Sequence, residues 1–185
     1  MRRYSIGVVA DTHVLDRRRK LDPALLPMLR KAGVQQILHA GDITLPRVLR
    51  ELEEVAPVVA VRGNRDWFRA ADLPLSRVIE IQGKQIGMTH GHGGLGSYLR
   101  DKLRFLAKGP AVFSVFKNRA IALLPSDVDA IVFGHTHAPM LLNENNKLIV
   151  NPGSACCQIV EGVAPSFGLI HIIEDDISGE IVYLE

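Results

Sequence analysis

With 185 residues, 47% of them hydrophobic and 23% charged, the chain is long enough to bury one substantial core and too apolar for wholesale disorder. Its 22 Lys and Arg against 20 Asp and Glu leave a formal charge of +2, too balanced to point by itself to nucleic acid or a membrane. The two cysteines, Cys156 and Cys157, are adjacent, which provides no disulfide framework and fits a reducing compartment.

Residues 4–10 are short, apolar and bounded by polar residues, which predicts a central strand. They run straight into Asp11, too soon for the apolar region of a signal peptide, and no apolar run approaches the ~20 residues needed to cross a bilayer. A cytoplasmic protein without membrane contact is the expectation. A helix follows, with Asp22 as cap, Pro23 in the first turn, and Leu25, Met28, Leu29 and Ala32 on one face. Pro27 is expected to shorten or kink it, and Gly33 to stop it. Residues 36–40 read as a strand, 46–55 as a helix with Val48, Leu49 and Leu52 inward, and 58–62 as a third strand. Strands alternating with helices predict parallel pairing in this half.

The character then changes. Residues 78–81, 84–89, 130–133, 140–143, 147–150, 167–174 and 181–184 all read as strands, with turn signals at Gln82-Gly83, 143–146 and 175–179. A second sheet facing the first is the simplest way to bury both. Residues 97–107 read as an amphipathic helix carrying Leu99, Leu103 and Leu106, stopped at Gly109-Pro110. With the apolar stretch after it, residues 97–124 are expected to form a helical insertion within a single domain spanning 1–185.

The polar residues just after each strand carry the chemistry. They are Asp11 and His13; Gly41 and Asp42; Gly63, Asn64, Arg65 and Asp66; His90, Gly91 and His92; and Gly134, His135, Thr136 and His137. In an open α/β sheet the carboxyl ends of parallel strands form one rim where ligands bind. Five of the seven histidines occupy such positions. These nitrogen and oxygen donors, without thiolate, suit Mn, Fe, Zn, Co or Ni. One shared carboxylate can hold two ions roughly 3.5–4 Å apart. Asp42 is the natural bridge, because Gly41 lets the backbone pass close to the ions. Taken singly, Asp11, Asp42 and Asn64 would be turn or cap residues, and His135 and His137 a polar turn; together they favour metal ligation. His39, inside a strand, reads as a structural histidine that orients a ligand, and His171 as structural.

In order and strand context these motifs resemble the calcineurin-like metallophosphoesterases, specifically the small, single-domain YfcE-type phosphodiesterase branch. The family pattern appears as Asp11-Thr12-His13, Gly41-Asp42, Gly63-Asn64-Arg65-Asp66, His90-Gly91-His92 and Gly134-His135-Thr136-His137. Asn151-Pro152-Gly153-Ser154 resembles the segment that comes next in this branch. The resemblance implies an α/β (α+β) fold: a two-layer mixed β sandwich flanked by helices, αββα. It implies one ion on Asp11, His13, Asp42 and His137 and a second on Asp42, Asn64, His90 and His135. A hydroxide bridging the two would attack phosphorus in line. Mn²⁺ is the first choice by resemblance, with Zn²⁺, Fe, Ni²⁺ and Co²⁺ as alternatives.

Arg65 departs from the relatives that hydrolyse phosphomonoesters, many of which carry a histidine there as general acid. Arginine does not give up its proton at physiological pH, but it can grip a phosphoryl oxygen. A phosphodiesterase is therefore expected, with Asp42, Asn64, Arg65 and His92 as its catalytic residues and Arg65 and His92 touching substrate. A surface salt bridge, with Asp66 as one candidate partner, is the competing reading of Arg65, and a supporting or solvated role is that of His92. The alternatives for the whole protein are a phosphomonoesterase or nuclease on the same dinuclear site, or a protein-binding scaffold like the retromer subunit that shares this fold. The expected substrate is a small phosphodiester or phosphorylated metabolite. Arg17, Arg18, Arg19 and Lys20 could attract anions, but a solvated loop is the simpler reading. Six basic residues against Asp101 within 97–120 hint at phosphate-rich ligands, although nucleic acid is not favoured. The apolar residues of 97–124 make that insertion a candidate cap over the site or homodimer surface.

Overall fold

The computed structural model describes residues 3–68, 70–93 and 113–184, and for Phe113 the backbone only. In chain order these form β1 (Tyr4–Val9), α1 (Leu25–Lys31), β2 (Gln36–His39), α2 (Pro46–Glu53), β3 (Val58–Ala60), β4 (Ser76–Ile81), β5 (Lys84–Thr89), α3 (Phe113–Ala122), β6 (Ala130–Val132), β7 (Met140–Glu144), β8 (Lys147–Asn151), β9 (Ser166–Ile173) and β10 (Asp176–Tyr183).

Alternation along the strands sorts the apolar side chains into three layers. Ile6 and Val8 of β1 meet Ile86 and Met88 of β5, Ala130 and Val132 of β6, and Leu148 and Val150 of β8 in the cluster between the sheets. Val9 and Ile37 face the other way, onto Leu25 and Leu29 of α1 and Val48 and Leu52 of α2. On the far side, Ile131, Phe133 and Ile149 meet Ala120 and Leu124. The layers therefore run helix, sheet, sheet, helix, because each sheet is apolar on both faces and needs two partners.

The first sheet has the order β10-β9-β1-β2-β3, the second β4-β5-β6-β8-β7. β1, β2 and β3 are parallel, with α1 and α2 in the crossovers; β9 runs antiparallel to β1 and β10. In the second sheet β5, β6 and β8 are parallel, while β4 and β7 pair antiparallel at the edges.

Several local expectations shift. Pro27 is the third residue of α1, within the first turn, where no intrahelical N–H is needed, so it neither kinks nor breaks the helix. Asp22 accepts the Ala24 N–H at 3.0 Å, capping the turn before the helix while Ala24 holds the cap position. The last hairpin turns at Glu174-Asp175, because Asp176 pairs with Ile173. The expected turn over 175–179 is therefore largely strand, and β10 begins five residues before the expected 181–184. Its polar Asp176, Ser178 and Glu180 face out on an edge strand, while Ile177 and Ile181 pack inward. Of the expected insertion, Phe113–Ala122 is helical; the helix expected over 97–107 lies outside the described residues. No helix among the described residues is long and apolar enough to cross a membrane.

Candidate metal centre

The parallel strands of both sheets end at one rim. Asp11 and His13 follow β1, Asp42 follows β2, Asn64 follows β3, His90 follows β5, and His135 and His137 follow β6. Asp11, His13, Asp42 and His90 are all at most 2% exposed. Five of these seven residues hold left-handed backbone: Asp11 (φ 53°), His13 (44°), Asp42 (55°), His135 (73°) and His137 (56°). Asp and His tolerate that region better than most residues, yet each such position is strained. The loops also interlock. A side chain at Gly63 would collide with the carboxylate and backbone nitrogen of Asp42, and one at Gly41 (φ 94°) would stand 2.7 Å from His90 Nδ1.

Two groups of donors share Asp42. In the first, ligand atoms of Asp11, His13, Asp42 and His137 all lie within 4.8 Å of one another. Asp11 Oδ1 stands 3.1 Å from His137 Nε2, 3.7 Å from His13 Nε2 and 4.0 Å from His90 Nε2. His13 Nε2 and His137 Nε2 face each other at 3.2 Å. In the second group, Asn64 Oδ1 lies 2.9 Å from His135 Nδ1 and 3.1 Å from His90 Nε2. Asp42 divides its oxygens, Oδ2 at 3.8 Å from His13 Nε2 and Oδ1 at 3.4 Å from His90 Nε2. His90 Nδ1 donates to Ala40 O at 2.7 Å, which points Nε2 at the carboxamide and carboxylate oxygens. Carboxylate, carboxamide and imidazole atoms converging in a buried site are a donor set that suits divalent cations, so the residues fit that group.

Electrostatics reflect the crowding. Burial works against ionising Asp11, but His137, His90 and His13 outweigh it and hold the carboxyl well below its ordinary range. Burial raises Asp42 to about 6, with Asp11 and Asp66 adding and His90 and the Arg65 N–H opposing. Burial lowers His13 to about 4 and His92 to about 3, and holds His135 well below the usual value. His90 is raised, because Asp42 and Asp11 overcome its burial.

Other residues hold the loops in place. The Gly41 N–H donates to His39 Nδ1 at 3.3 Å, and His39 Nε2 lies 3.3 Å from Thr12 Oγ1, so this histidine ties the Asp11 loop to the Asp42 loop. Asp66 accepts the Gly63 N–H at 2.7 Å and the Thr44 N–H at 2.8 Å, joining the loops after β2 and β3. The surface ion pair that competes with a substrate role for Arg65 is not made with Asp66, whose carboxylate turns inward to those amides. The Arg65 guanidinium lies 3.9 Å from Asp16, and its backbone N–H donates to Asp42 Oδ1 at 2.8 Å. His92 is buried beside His90, ring centroids 5.3 Å apart, and its carbonyl accepts from Arg119 at 3.3 Å. His171 is structural, between Ser5 (3.1 Å) and Glu180 (3.3 Å).

Three supports were not foreseen. Asn151 donates to Gly134 O at 2.9 Å and Thr136 Oγ1 at 3.0 Å, which fixes the loop bearing His135 and His137. Ser154 donates to Asp11 O at 2.9 Å, and Asp16 Oδ2 lies 3.2 Å from His13 Nδ1. The 151–154 motif was the available signal for the first two; nothing local marks Asp16.

Two sheets whose strands end at a shared rim of aspartate, asparagine and histidine donors form a candidate metal centre. Residues 4–175 match the calcineurin-like phosphoesterase superfamily domain, and the chain belongs to that superfamily, which makes it a metal-dependent phosphoester hydrolase. It is 33% identical to a probable metallophosphoesterase of Methanothermobacter thermautotrophicus, over 96% of this chain and 91% of that protein. It is 26% identical to a phosphodiesterase of Methanocaldococcus jannaschii, over 89% and 91% of the two chains. The vacuolar protein sorting 29 structure from Cryptosporidium parvum shares the fold, with a TM-score of 0.66, 18% identity and 98% of each chain covered.

Proposed function

We propose that this protein is a divalent-metal-dependent phosphodiesterase acting as one domain on a small phosphodiester. The observation that carries the reading is Asp42, whose two oxygens face two separate groups of nitrogen and oxygen donors. Asp11, His13, Asp42 and His137 would hold one ion and Asp42, Asn64, His90 and His135 another, with Mn²⁺ the first choice. Such ions supply Lewis acidity and a hydroxide for in-line attack on phosphorus.

The remaining steps belong to the chain's own groups. Arg65 stands at the mouth of the site with a permanent charge and binds a non-bridging phosphoryl oxygen. It has no proton to give a leaving group, which favours esters with acidic leaving groups. His92, held neutral by burial, donates a hydrogen bond to phosphate and is not a store of protons at neutral pH.

The test is to strip the protein with chelator, restore Mn²⁺, and measure hydrolysis of bis-p-nitrophenyl phosphate and p-nitrophenyl phosphate. Diester turnover well above monoester turnover, absent without metal, is expected. Asp42→Asn should lower kcat by more than about 100-fold and reduce bound metal. A monoester preference would overturn the phosphodiesterase reading. Two bound ions with neither ester hydrolysed would favour a binding scaffold of this fold.

A further inference from the structure

A cleft of about 660 Å³ opens beside the metal rim, and Asn64 and Arg65 line it together with Leu15, Asp16, Trp67 and Phe68. Its apolar members are placed against their own solvation. Phe68 is 98% exposed, Leu15 57% and Trp67 43%. Leu15 also holds left-handed backbone (φ 71°), so an apolar residue is both strained and presented to water. Trp67 is held in place: the Arg62 guanidinium sits 5.2 Å from its ring centroid and donates to Ala71 O at 3.0 Å. The turn before it is anchored by the Asp66 carboxylate on the Gly63 and Thr44 amides. A fixed indole, an exposed phenyl ring and a strained leucine thus border the space into which Asn64 and Arg65 face.

We infer that this cleft is the subsite for a planar aromatic ring carried on one ester arm of the phosphodiester, a reading that rests on the phosphodiesterase assignment. A phosphoryl group held by Arg65 at the rim has its ester arm at the mouth of the cleft. Trp67 and Phe68 supply faces and edges for a ring, and Leu15 adds apolar contact. The consecutive Trp67-Phe68 pair is thereby a specificity determinant, separate from the donors that hold metal.

Trp67 is the single tryptophan, so its fluorescence reports on this cleft alone. The experiment titrates the Mn²⁺-loaded protein with diphenyl, dimethyl and dihexyl phosphate. All three carry the same anionic diester. Diphenyl phosphate should change the emission saturably and at lower concentration than the other two, and Phe68→Ala should weaken it about fivefold. That exposed side chain supports no core, so the variant remains folded. Equal responses to diphenyl and dimethyl phosphate, or none to either, would overturn the subsite. A dihexyl response matching diphenyl would overturn it too, because the wall would then select apolarity and not a ring. Bis-p-nitrophenyl phosphate hydrolysis is followed in parallel. Hydrolysis without a Trp67 response removes the subsite alone; a Trp67 response without hydrolysis removes the phosphodiesterase reading alone.

Discussion

At the scale of single residues, the centre is a buried cluster of carboxylates and imidazoles whose charges depend on one another. Asp42 makes metal binding sensitive to pH. Burial raises it to about 6 in the metal-free protein, so a proton occupies it below that value and an incoming ion must displace the proton. His90, also raised, adds competition in the same direction. Divalent-ion affinity should therefore fall as pH drops through about 6, and the raised His90 extends the same dependence to higher pH. Calorimetric titration in buffers of different ionisation enthalpy would show protons released on binding near that pH, and Asp42→Asn should reduce the release while His90 still gives up its proton. Gly63 is a second residue-scale determinant. A methyl group there would collide with Asp42, so Gly63→Ala should cost about 10- to 100-fold in metal affinity, read by competition with a chromophoric chelator. The far-ultraviolet circular dichroism should remain native. Unchanged affinity would show that the Asp42 loop moves freely, contrary to the contacts seen.

At the scale of elements, α1 is fixed through Leu25 and Leu29, both fully buried. Leu29 Cδ2 lies 2.8 Å from where a Cβ on Gly7 would stand, so the helix rests directly on the β1 backbone. Leu29→Ala should lower unfolding free energy by about 2–5 kcal/mol in urea, from lost burial and a cavity that β1 cannot fill. A loss below about 1 kcal/mol would mean that the helix collapses onto the strand. Most elements were legible because their hydrophobic period is local: 2 in the strands, 3.6 in α1 and α2. The exceptions have physical causes. Asp176–Tyr183 contains Asp, Ser, Gly and Glu, which read as a turn, but an edge strand with one solvent face tolerates that alternation. Pro27 looked like a breaker and falls where a helix needs no donor.

At the scale of the molecule, two sheets bring residues as distant as Asp11 and His137 within 3.1 Å. Holding five donor residues in left-handed backbone costs about 1–3 kcal/mol each, and burying their charges adds to that. Ion binding to the folded state offsets part of it. An excess of Mn²⁺ a thousandfold over its Kd should stabilise the fold by about 4 kcal/mol and raise Tm by roughly 10 °C, reversed by chelator. Calorimetric scans with and without metal check this; a Tm independent of metal would mean that the site is not coupled to the fold. The increase should shrink below pH 6, in step with protonation of Asp42.

The identity and order of the donors, and their position just after strands, were set by the sequence alone, because ligand chemistry and strand period are short-range properties. So was the expectation that Asp42 is the shared carboxylate, from its glycine neighbour and its place in the motifs. Only the tertiary structure decided that Asp66 spends its carboxylate on the Gly63 and Thr44 amides and leaves Arg65 to Asp16. It also decided that Asn151 and Ser154 brace the loops of Gly134 and Asp11, and that Leu15, Trp67 and Phe68 border one cleft. Those arrangements join segments separated by tens of residues. Their geometry comes from the register of parallel strands and the stacking of two sheets, which no local pattern of residue types encodes.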